Sequence, residues 1–304
     1  MRKLLKISNQ FAVRAKYAIP IWISLWLVII QTGMSQENQF EPESELLSSE
    51  DSLEIQKLER DLTAGKQAEV MNQVFGQPKY KIQTIGVLVY DGVNDLDMIG
   101  PRYILGSMGA NTQLISVEPG SIKTVKGIEI IPDNTIDSVH QLDILVIPGG
   151  AQGTVKTAYN PQVQEWIRKI DRETTFTASV CTGGWILGAS GLLEGKQATT
   201  NWYRAEEMLA KYGASFTNER FTQDGKYWTS AGVTAGMDMS LAIMKELWGE
   251  NYTQALMLDM EYDPAPPMEG GSPQKTNRAV HWMLESMYDA GLMTLIDSLE
   301  NNNQ

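Results

Sequence analysis

Five short apolar segments, separated by stretches of helical character, constrain the fold of this chain more than any other feature. Most of them lack the alternation of polar and apolar residues that a strand with one solvent-exposed face would show. The predicted strands span Ile85–Tyr90, Leu114–Val117, Ile128–Ile131, Ile144–Ile147 and Phe176–Val180. Strands that are apolar on both faces must be covered on both sides. The pattern therefore predicts an α/β fold with a mainly parallel sheet sandwiched by helices.

The predicted helices lie between and after these strands. They span Met98–Met108, Pro161–Ile170, Thr182–Ser190, Tyr203–Lys211 and Ala235–Leu247. Ligands of parallel α/β sheets bind outside the carboxyl ends of the strands. We therefore expect the functional residues within Tyr90–Asp97, Pro148–Gly153 and Val180–Gly184.

The N-terminal segment has the pattern of an export signal. Residues 1–17 carry five basic side chains and no acidic one, and the apolar run Ala18–Ile30 follows. Thirteen apolar residues suit a signal-peptide core better than a membrane-spanning helix, which needs about 20. We expect residues 1–35 to be a signal peptide, with an uncleaved N-terminal anchor as the alternative. The rest of the chain is then exported, to the periplasm or beyond.

Three further segments follow. Residues 36–80 are polar and acidic, and we interpret them as a linker with a helix over Ser52–Phe75. Residues 81–274 hold all the predicted strands and form the expected catalytic domain. Residues 275–304 are predicted to form one more helix, about Asn277–Leu299, that packs on that domain.

Composition excludes several classes of function. With 37 acidic against 25 basic residues, the chain does not suit nucleic acid, because a phosphate backbone is met by clustered Lys and Arg. A single Cys excludes a disulfide framework within the chain, and two distant histidines, His140 and His281, do not form a metal-binding cluster. We expect no metal, no organic cofactor and no membrane contact beyond an N-terminal anchor.

The most informative motif lies at the end of the fifth predicted strand. Phe176–Val180 leads directly into Cys181, and Thr182-Gly183-Gly184 opens a helix. This arrangement is typical of a nucleophile elbow, a cramped turn that needs small neighbours such as Gly183. The helix N-terminus would favour the thiolate form of the sulfur. A buried and inert cysteine is the alternative.

Two other strand ends carry candidate residues. Gly149 and Gly150 follow the fourth strand and could expose backbone N–H groups as an oxyanion hole. Asp95 and Asp97 follow the first strand and could cap a helix. If Asp97 faces Cys181 instead, we expect the two groups to share one proton, because a carboxylate beside a thiolate is repelled. The pKa of Asp97 would then be raised.

Together these motifs resemble the ThiJ/PfpI superfamily, which is similar to the class I glutamine amidotransferases, and within it the isonitrile hydratase branch. The resemblance is carried by Ile85–Pro101, Asp143–Gly150, Ser179–Trp202, Gly232–Met244 and Met260–Pro273. It implies a flavodoxin-like sheet and a homodimer. It also implies that Cys181 is the nucleophile, that Asp97 is its acidic partner and that Thr182 is the hydroxyl residue beside the nucleophile.

This chain departs from the family pattern at one position. The family commonly has His before Trp where this chain has Asn201 and Trp202. Asn cannot act as a general base, so a Cys–His dyad is excluded at this position. Neither His140 nor His281 lies in a matching motif, and both are predicted to be surface or packing residues. The departure weakens an amidotransferase or peptidase function more than a hydratase function, in which the acid transfers the protons.

The resemblance therefore implies hydration of a small isonitrile through an intermediate bound to Cys181. The residues predicted to bind the substrate or its oxyanion are Gly149, Gly150, Gly183, Asn201 and Trp202. Two alternatives stay open. One is a glyoxalase-like or deglycase-like reaction on small dicarbonyls, and the other is a non-catalytic, cysteine-based oxidant sensor or ligand-binding module.

Overall fold

A seven-stranded sheet forms the centre of the structure, a computed structural model that describes residues 48–302. The strands are β1 (Thr84–Val89), β2 (Asn111–Ser116), β3 (Ile122–Lys123), β4 (Glu129–Ile130), β5 (Asn134–Thr135), β6 (Ile144–Ile147), β7 (Phe176–Val180), β8 (Gln197–Ala198), β9 (Ser215–Phe216), β10 (Phe221–Asp224) and β11 (Tyr227–Ser230). The order in the sheet is β10-β11-β7-β6-β1-β2-β5. All neighbours run parallel except β10 and β11. The predicted, mainly parallel sheet is thus confirmed.

Helices cover both faces of this sheet. They are α1 (Ser49–Thr63), α2 (Gln67–Phe75), α3 (Asp95–Gly106), α4 (Gln152–Ala158), α5 (Pro161–Asp171), α6 (Gly183–Ala189), α7 (Ala205–Lys211), α8 (Thr234–Trp248), α9 (Glu250–Asp259), α10 (Arg278–Tyr288) and α11 (Thr294–Asn302). One group is formed by α3 and α8, and another by α4, α5 and α6. Within residues 48–302, none of the helices has the length and apolar composition of a bilayer span.

The strands that hold the site are buried along their whole length. All four residues of β6 and all five of β7 are buried, which is the reason that neither strand carries a charged residue. Their register pairs Ile144 with Phe176 and Ile147 with Ser179. The carboxyl ends of β6 and β7 therefore meet at the same edge of the sheet, next to the end of β1.

One predicted strand lies outside the central sheet, and one hairpin was not predicted. Ile128–Ile131 does not join the central sheet, since β4 pairs only with β3 in a small antiparallel hairpin. Ile130 packs against the core, but the flanking Ile128 and Ile131 are 50% and 82% exposed. The hairpin of β10 and β11 was missed, although its turn carries an Asp224-Gly225 pair, which favours a tight hairpin.

The helices outside the predicted catalytic domain differ in detail from the prediction. The single helix predicted over Ser52–Phe75 is two helices, α1 and α2, because Gly65 adopts a left-handed φ of 79° between them. Ser48 caps α1 with its side chain, in a reciprocal arrangement with Asp51. The predicted signal or anchor, residues 1–35, lies outside the described residues. Export and homodimerisation stay predictions.

The C-terminal helix is continuous but not uniform. Between α10 and α11 it passes through a π-helical turn, Asp289–Met293. Leu292 and Ile296 are buried in a cluster with Trp185 and Tyr203 of the main body of the protein. The methionine side chains of α10 do not join this cluster, since Met283 and Met287 are 52% and 63% exposed.

Candidate active site

Cys181 stands at a sharp turn between β7 and α6. Its φ is +59°, a left-handed conformation that non-glycine residues rarely adopt and that is stored as strain at functional sites. The backbone N–H of Cys181 donates to the carbonyl oxygens of Ser230 at 3.0 Å and Ala231 at 3.2 Å. The end of β11 thus holds the strained turn in place. This geometry is that of a nucleophile elbow.

Glycine at position 183 is a steric requirement of the elbow. A Cβ atom on Gly183 would lie 2.0 Å from the carbonyl oxygen of Ile147 and 2.9 Å from the carbonyl carbon of Pro148. No such contact is tolerated, so α6 can approach the end of β6 only because residue 183 has no side chain.

Gly183→Ala is therefore expected to destabilise the fold by about 3 kcal/mol, because either α6 or the end of β6 must move. The measurement is the free energy of unfolding in urea. Gly270→Ala is a matched control, since a Cβ atom there meets nothing within 4 Å and the glycine has no positive φ. Equal stability of the two variants would contradict the steric argument.

Asp97 is free to face the sulfur because another residue caps its helix. The side chain of Asn94 accepts hydrogen bonds from the N–H groups of Leu96 and Asp97, so Asn94 is the N-cap of α3. Asp95 accepts from the Thr124 hydroxyl at 2.6 Å. Asp97 is completely buried, and neither carboxyl oxygen makes a well-aligned hydrogen bond within the described residues.

Burial and mutual repulsion control the protonation of this pair. Burial raises the pKa of Asp97 from 3.8 to about 7, and its contacts with the Cys181 thiol and with the backbone N–H groups of Gly149 and Val233 oppose the rise only in part. Burial also raises the pKa of the Cys181 thiol far above its usual value, and the charge of Asp97 adds to this. The prediction of a raised Asp97 pKa agrees with this environment. The N–H of Thr182 at the start of α6 lowers the pKa of the thiol, in the direction expected of a helix N-terminus, but burial outweighs it.

The two groups therefore titrate as a unit. Below about pH 7 both are protonated, and above it the pair holds a single proton over a wide range. Backbone N–H groups face both partners: that of Thr182 lowers the pKa of the thiol, and that of Gly149 lowers the pKa of the carboxyl group. The site can thus hold one negative charge next to one mobile proton.

Asn201 contacts the sulfur directly. Its Nδ2 donates to Cys181 Sγ at 3.3 Å, while its Oδ1 accepts from the N–H of Tyr203 at 3.0 Å. The second contact fixes the orientation of the amide, because only the oxygen can accept. Asn201 therefore stabilises charge on sulfur and cannot remove a proton from it.

Thr182 and Gly150 are engaged with each other. The Thr182 hydroxyl accepts from the Gly150 N–H at 3.0 Å, donates to the Gly150 carbonyl at 2.8 Å, and lies 3.1 Å from the Thr154 hydroxyl. These bonds tie the ends of β6 and β7 together. They also occupy the Gly150 N–H, which we expected to bind an oxyanion; that role of Gly150 stays a prediction, as does the role of Thr182 beside the nucleophile.

Gly149 permits the close approach of its loop to the pair. A Cβ atom there would lie 2.7 Å from the backbone nitrogen of Thr182 and 2.9 Å from Oδ2 of Asp97. A side chain at this position would therefore separate the loop from the pair, and only glycine leaves the Gly149 N–H beside the carboxyl group.

Trp202 and both histidines lie outside the reacting pair. The ring of Trp202 contacts those of Tyr203, His281 and Tyr288. The centroids of the Trp202 and His281 rings are 5.2 Å apart. His281 is thus a packing residue and His140 is exposed, as predicted. Among residues 48–302 there is no group of three His, Cys, Asp or Glu side chains that could hold a metal ion.

Two contributors to this region escaped the sequence analysis. Val233 faces Asp97 with its backbone N–H, which no side-chain pattern can indicate. Tyr288 comes from the C-terminal helix, where an aromatic residue in an apolar stripe is typical of packing. Neither position carries a sequence motif that distinguishes it from an ordinary structural residue.

A parallel α/β sheet with a cysteine elbow facing a buried acid defines a class of protein, and the comparison with known families identifies it. The chain belongs to the DJ-1/PfpI family, whose model matches residues 83–246. The fold and family predicted from the motifs are confirmed.

Individual relatives agree with this assignment. The chain is 36% identical over 197 residues to the isonitrile hydratase of Pseudomonas putida, covering 64% of this chain and 86% of that enzyme. It is 29% identical over 137 residues to the HTH-type transcriptional regulator CdhR of Pseudomonas aeruginosa, covering 45% of this chain and 40% of the regulator. A crystal structure of a ThiJ/PfpI family protein from Pseudomonas syringae superposes with a TM-score of 0.69 at 32% identity, covering 75% of this chain and 93% of that one.

Proposed function

We propose that this chain is a cysteine-dependent hydratase that converts an isonitrile, R–N≡C, into the N-substituted formamide. The observation that carries the proposal is the pair itself, in which the completely buried carboxyl group of Asp97 meets the sulfur of Cys181 at the elbow and burial raises the pKa of both groups. The 36% identity to an isonitrile hydratase supports the choice of substrate class.

The chemistry of the substrate matches the chemistry of the pair. The terminal carbon of an isonitrile must receive both a nucleophile and a proton. Attack by the sulfur of Cys181 forms the S–C bond, and the shared proton, delivered by Asp97, forms the C–H bond. The product is a thioimidate, R–N=CH–S–Cys, and Asp97 is left ionised.

Water then resolves this intermediate. The Asp97 carboxylate removes one proton from a water molecule as its oxygen bonds to the thioimidate carbon. The nitrogen gains a proton, the C–S bond breaks, and the formamide leaves. The two hydrogens of water thus end on the nitrogen and on the Cys181–Asp97 pair, which returns to its starting state.

Asn201 suits this reaction because it cannot compete for the proton. Its amide donates to Cys181 Sγ at 3.3 Å and stabilises charge on the sulfur whether the sulfur attacks or leaves. Among the described groups at the sulfur, only Asp97 carries a carboxyl group. Its pKa of about 7 suits the transfer of protons at neutral pH.

The test is the formation of the N-formyl product. The purified protein is incubated with an alkyl and an aryl isonitrile, and the formamide is identified by NMR. We expect catalytic turnover of at least one of them. Absence of the formamide with both, together with consumption of methylglyoxal, would replace the proposal by the dicarbonyl reaction.

The oxidant-sensor alternative has its own readout. A sensor would gain two oxygen atoms on Cys181 under mild peroxide, detected by mass spectrometry, and would turn over no isonitrile. Both reactions need an ionised sulfur, so the pKa of the Cys181 thiol does not distinguish them, whereas only hydration also uses the buried acid at the sulfur as a proton donor. No described feature of the site favours this alternative.

The pH dependence follows from the shared proton. We expect kcat/KM for an isonitrile to rise with pH and to level off above an apparent pKa near 7. Below that pH the pair carries two protons, and a neutral thiol is a poor nucleophile. Initial rates in a buffer series from pH 5 to pH 9 measure this, and a profile that falls with pH in this range would contradict it.

A further inference from the structure

We infer that the C-terminal helix completes the active site and that the Tyr288 hydroxyl is the hydrogen-bond donor to the nitrogen of the substrate. The chemical role rests on the proposed hydratase function. The location of Tyr288 beside the site does not.

Contacts with the main body of the protein fix the C-terminal helix next to Tyr288. Asp289, next to Tyr288, accepts from Tyr203 Oη at 2.6 Å and from Arg204 Nε at 3.0 Å, and it forms an ion pair with the same guanidinium. One turn further on, the buried side chain of Leu292 holds the helix on the main body of the protein. Tyr288 is therefore placed by contacts on its own side of the helix.

The ring of Tyr288 packs on two aromatic residues close to the site. The ring of Tyr288 stacks on that of Tyr203, with centroids 5.1 Å apart, and meets Trp202 edge-on at 5.6 Å. Both of these rings follow Asn201, whose amide donates to Cys181 Sγ. Tyr288 therefore packs on the two residues that follow the hydrogen-bond donor of the sulfur, and the negative charges of Cys181 and Asp97 act on its phenol.

The hydroxyl group of Tyr288 is available as a hydrogen-bond donor. Within residues 48–302 the Tyr288 hydroxyl has no hydrogen-bond partner, whereas the hydroxyl of Tyr203 donates to Asp289 and that of Tyr159 donates to Glu300. Tyr288 is only partly buried. Burial and the negative charges of Cys181 and Asp97 raise the pKa of Tyr288, so the phenol stays neutral and able to donate.

The backbone gives independent support. The π-helical turn Asp289–Met293 begins immediately after Tyr288. Such turns interrupt the regular spacing of a helix and are frequent at functional sites. Here the turn lets Tyr288 face the rings of Trp202 and Tyr203 while Leu292 still points into the core.

The step for Tyr288 is the protonation of nitrogen. As water adds to the thioimidate carbon and gives one proton to Asp97, the Tyr288 hydroxyl gives its proton to the nitrogen. The product of this step is R–NH–CH(OH)–S–Cys. When the C–S bond breaks, the hydroxyl proton of this intermediate returns to the Tyr288 oxygen, and the formamide carbonyl forms. Asp97 and Cys181 then hold one proton between them, as at the start.

The location is tested without any isonitrile. Because Cys181 is the only cysteine of the chain, its alkylation by iodoacetamide is measured by intact mass. We expect Tyr288→Ala to raise the alkylation rate at least about fivefold, since removal of a ring that packs on Trp202 and Tyr203 opens the region next to Asn201. Met287→Ala, at a neighbouring side chain that is 63% exposed, is the control and keeps the wild-type rate. Equal rates for the two variants overturn the location.

The chemical role is tested with Tyr288→Phe, which keeps the ring and its stacking. We expect kcat for the isonitrile to fall about 30-fold with KM nearly unchanged, because the lost donor acts on the intermediate. Alkylation of Cys181 and thermal stability stay at wild-type levels in this variant. A wild-type kcat in Tyr288→Phe overturns the role.

The two proposals fail in different ways. If the wild-type protein hydrates no isonitrile, the proposed function falls, and the chemical role of Tyr288 falls with it. The alkylation rates still decide whether the C-terminal helix borders the sulfur. If the wild-type protein is active and both Tyr288 variants behave like Met287→Ala, only the inference on Tyr288 falls.

Discussion

We expect Cys181→Ala to lower the turnover of isonitriles by about 10⁴-fold or more. No other atom of the site can form the bond to the terminal carbon of the isonitrile. The variant keeps the fold. Alanine and cysteine meet the same backbone strain at a φ of +59°, and the hydrogen bonds of the backbone N–H to Ser230 and Ala231 do not involve the sulfur.

The measurement combines two readouts. Formamide production reports turnover, and intact mass under excess substrate reports a covalent adduct that only the wild-type protein can carry. Urea unfolding of both proteins shows that the loss is not a loss of structure. Formamide production by Cys181→Ala within about tenfold of the wild-type rate would end the nucleophile hypothesis.

Asp97→Asn has the second large effect, and it has two parts. We expect turnover to fall about 10³-fold, since Asn can neither deliver the shared proton nor accept one from water. We also expect the variant to be more stable than the wild type above pH 7. A residue that weakens stability in its ionised form, while being required for turnover, would be a functional residue rather than a structural one.

The sign of the stability effect follows from the pKa of Asp97, which is about 7 in the folded state and 3.8 as its ordinary value. Between these values the folded state binds the proton and the unfolded state does not. The contribution of Asp97 to stability is thus fully present below about pH 4 and is lost as the pH rises through about 7. The full difference amounts to roughly 4 kcal/mol, an upper bound for the gain.

Unfolding in urea at pH 5 and at pH 8 measures this difference. The wild-type free energy of unfolding falls between the two pH values more steeply than that of Asp97→Asn. Asp95→Asn is the matched control. It lies two residues away, and its carboxylate is hydrogen-bonded to Thr124, so its replacement lowers stability. The same pH slope in wild type and Asp97→Asn would refute the assignment of a raised pKa to this carboxyl.

Sequence and structure agree best where burial is complete. β6 and β7 were predicted with the observed bounds, because strands that are buried on both faces carry apolar or small polar residues and no charged ones. Topology then brings the ends of β1, β6 and β7 to one edge of the sheet. This is why Cys181, Asp97 and Gly149 could be grouped from the sequence alone.

The remaining features depend on contacts between distant parts of the chain. The engagement of Thr182 with Gly150 is decided by side-chain geometry that no motif shows. The protonation of Cys181 depends on how completely its surroundings exclude water. Tyr288 is separated from the elbow by more than a hundred residues, and only the packing of the C-terminal helix brings it near. A short strand such as β4 carries too few residues for an apolar pattern to indicate burial.

The burial of the sulfur has a consequence for selectivity. Only 8% of Cys181 is accessible to solvent, so an electrophile must reach the sulfur through a narrow approach. The head group of an isonitrile is linear and two atoms long, and it can enter end-on. A carbonyl carbon carries its substituents in a plane and is wider. We therefore expect the burial of Cys181 to favour the reaction of slender electrophiles over that of bulkier ones.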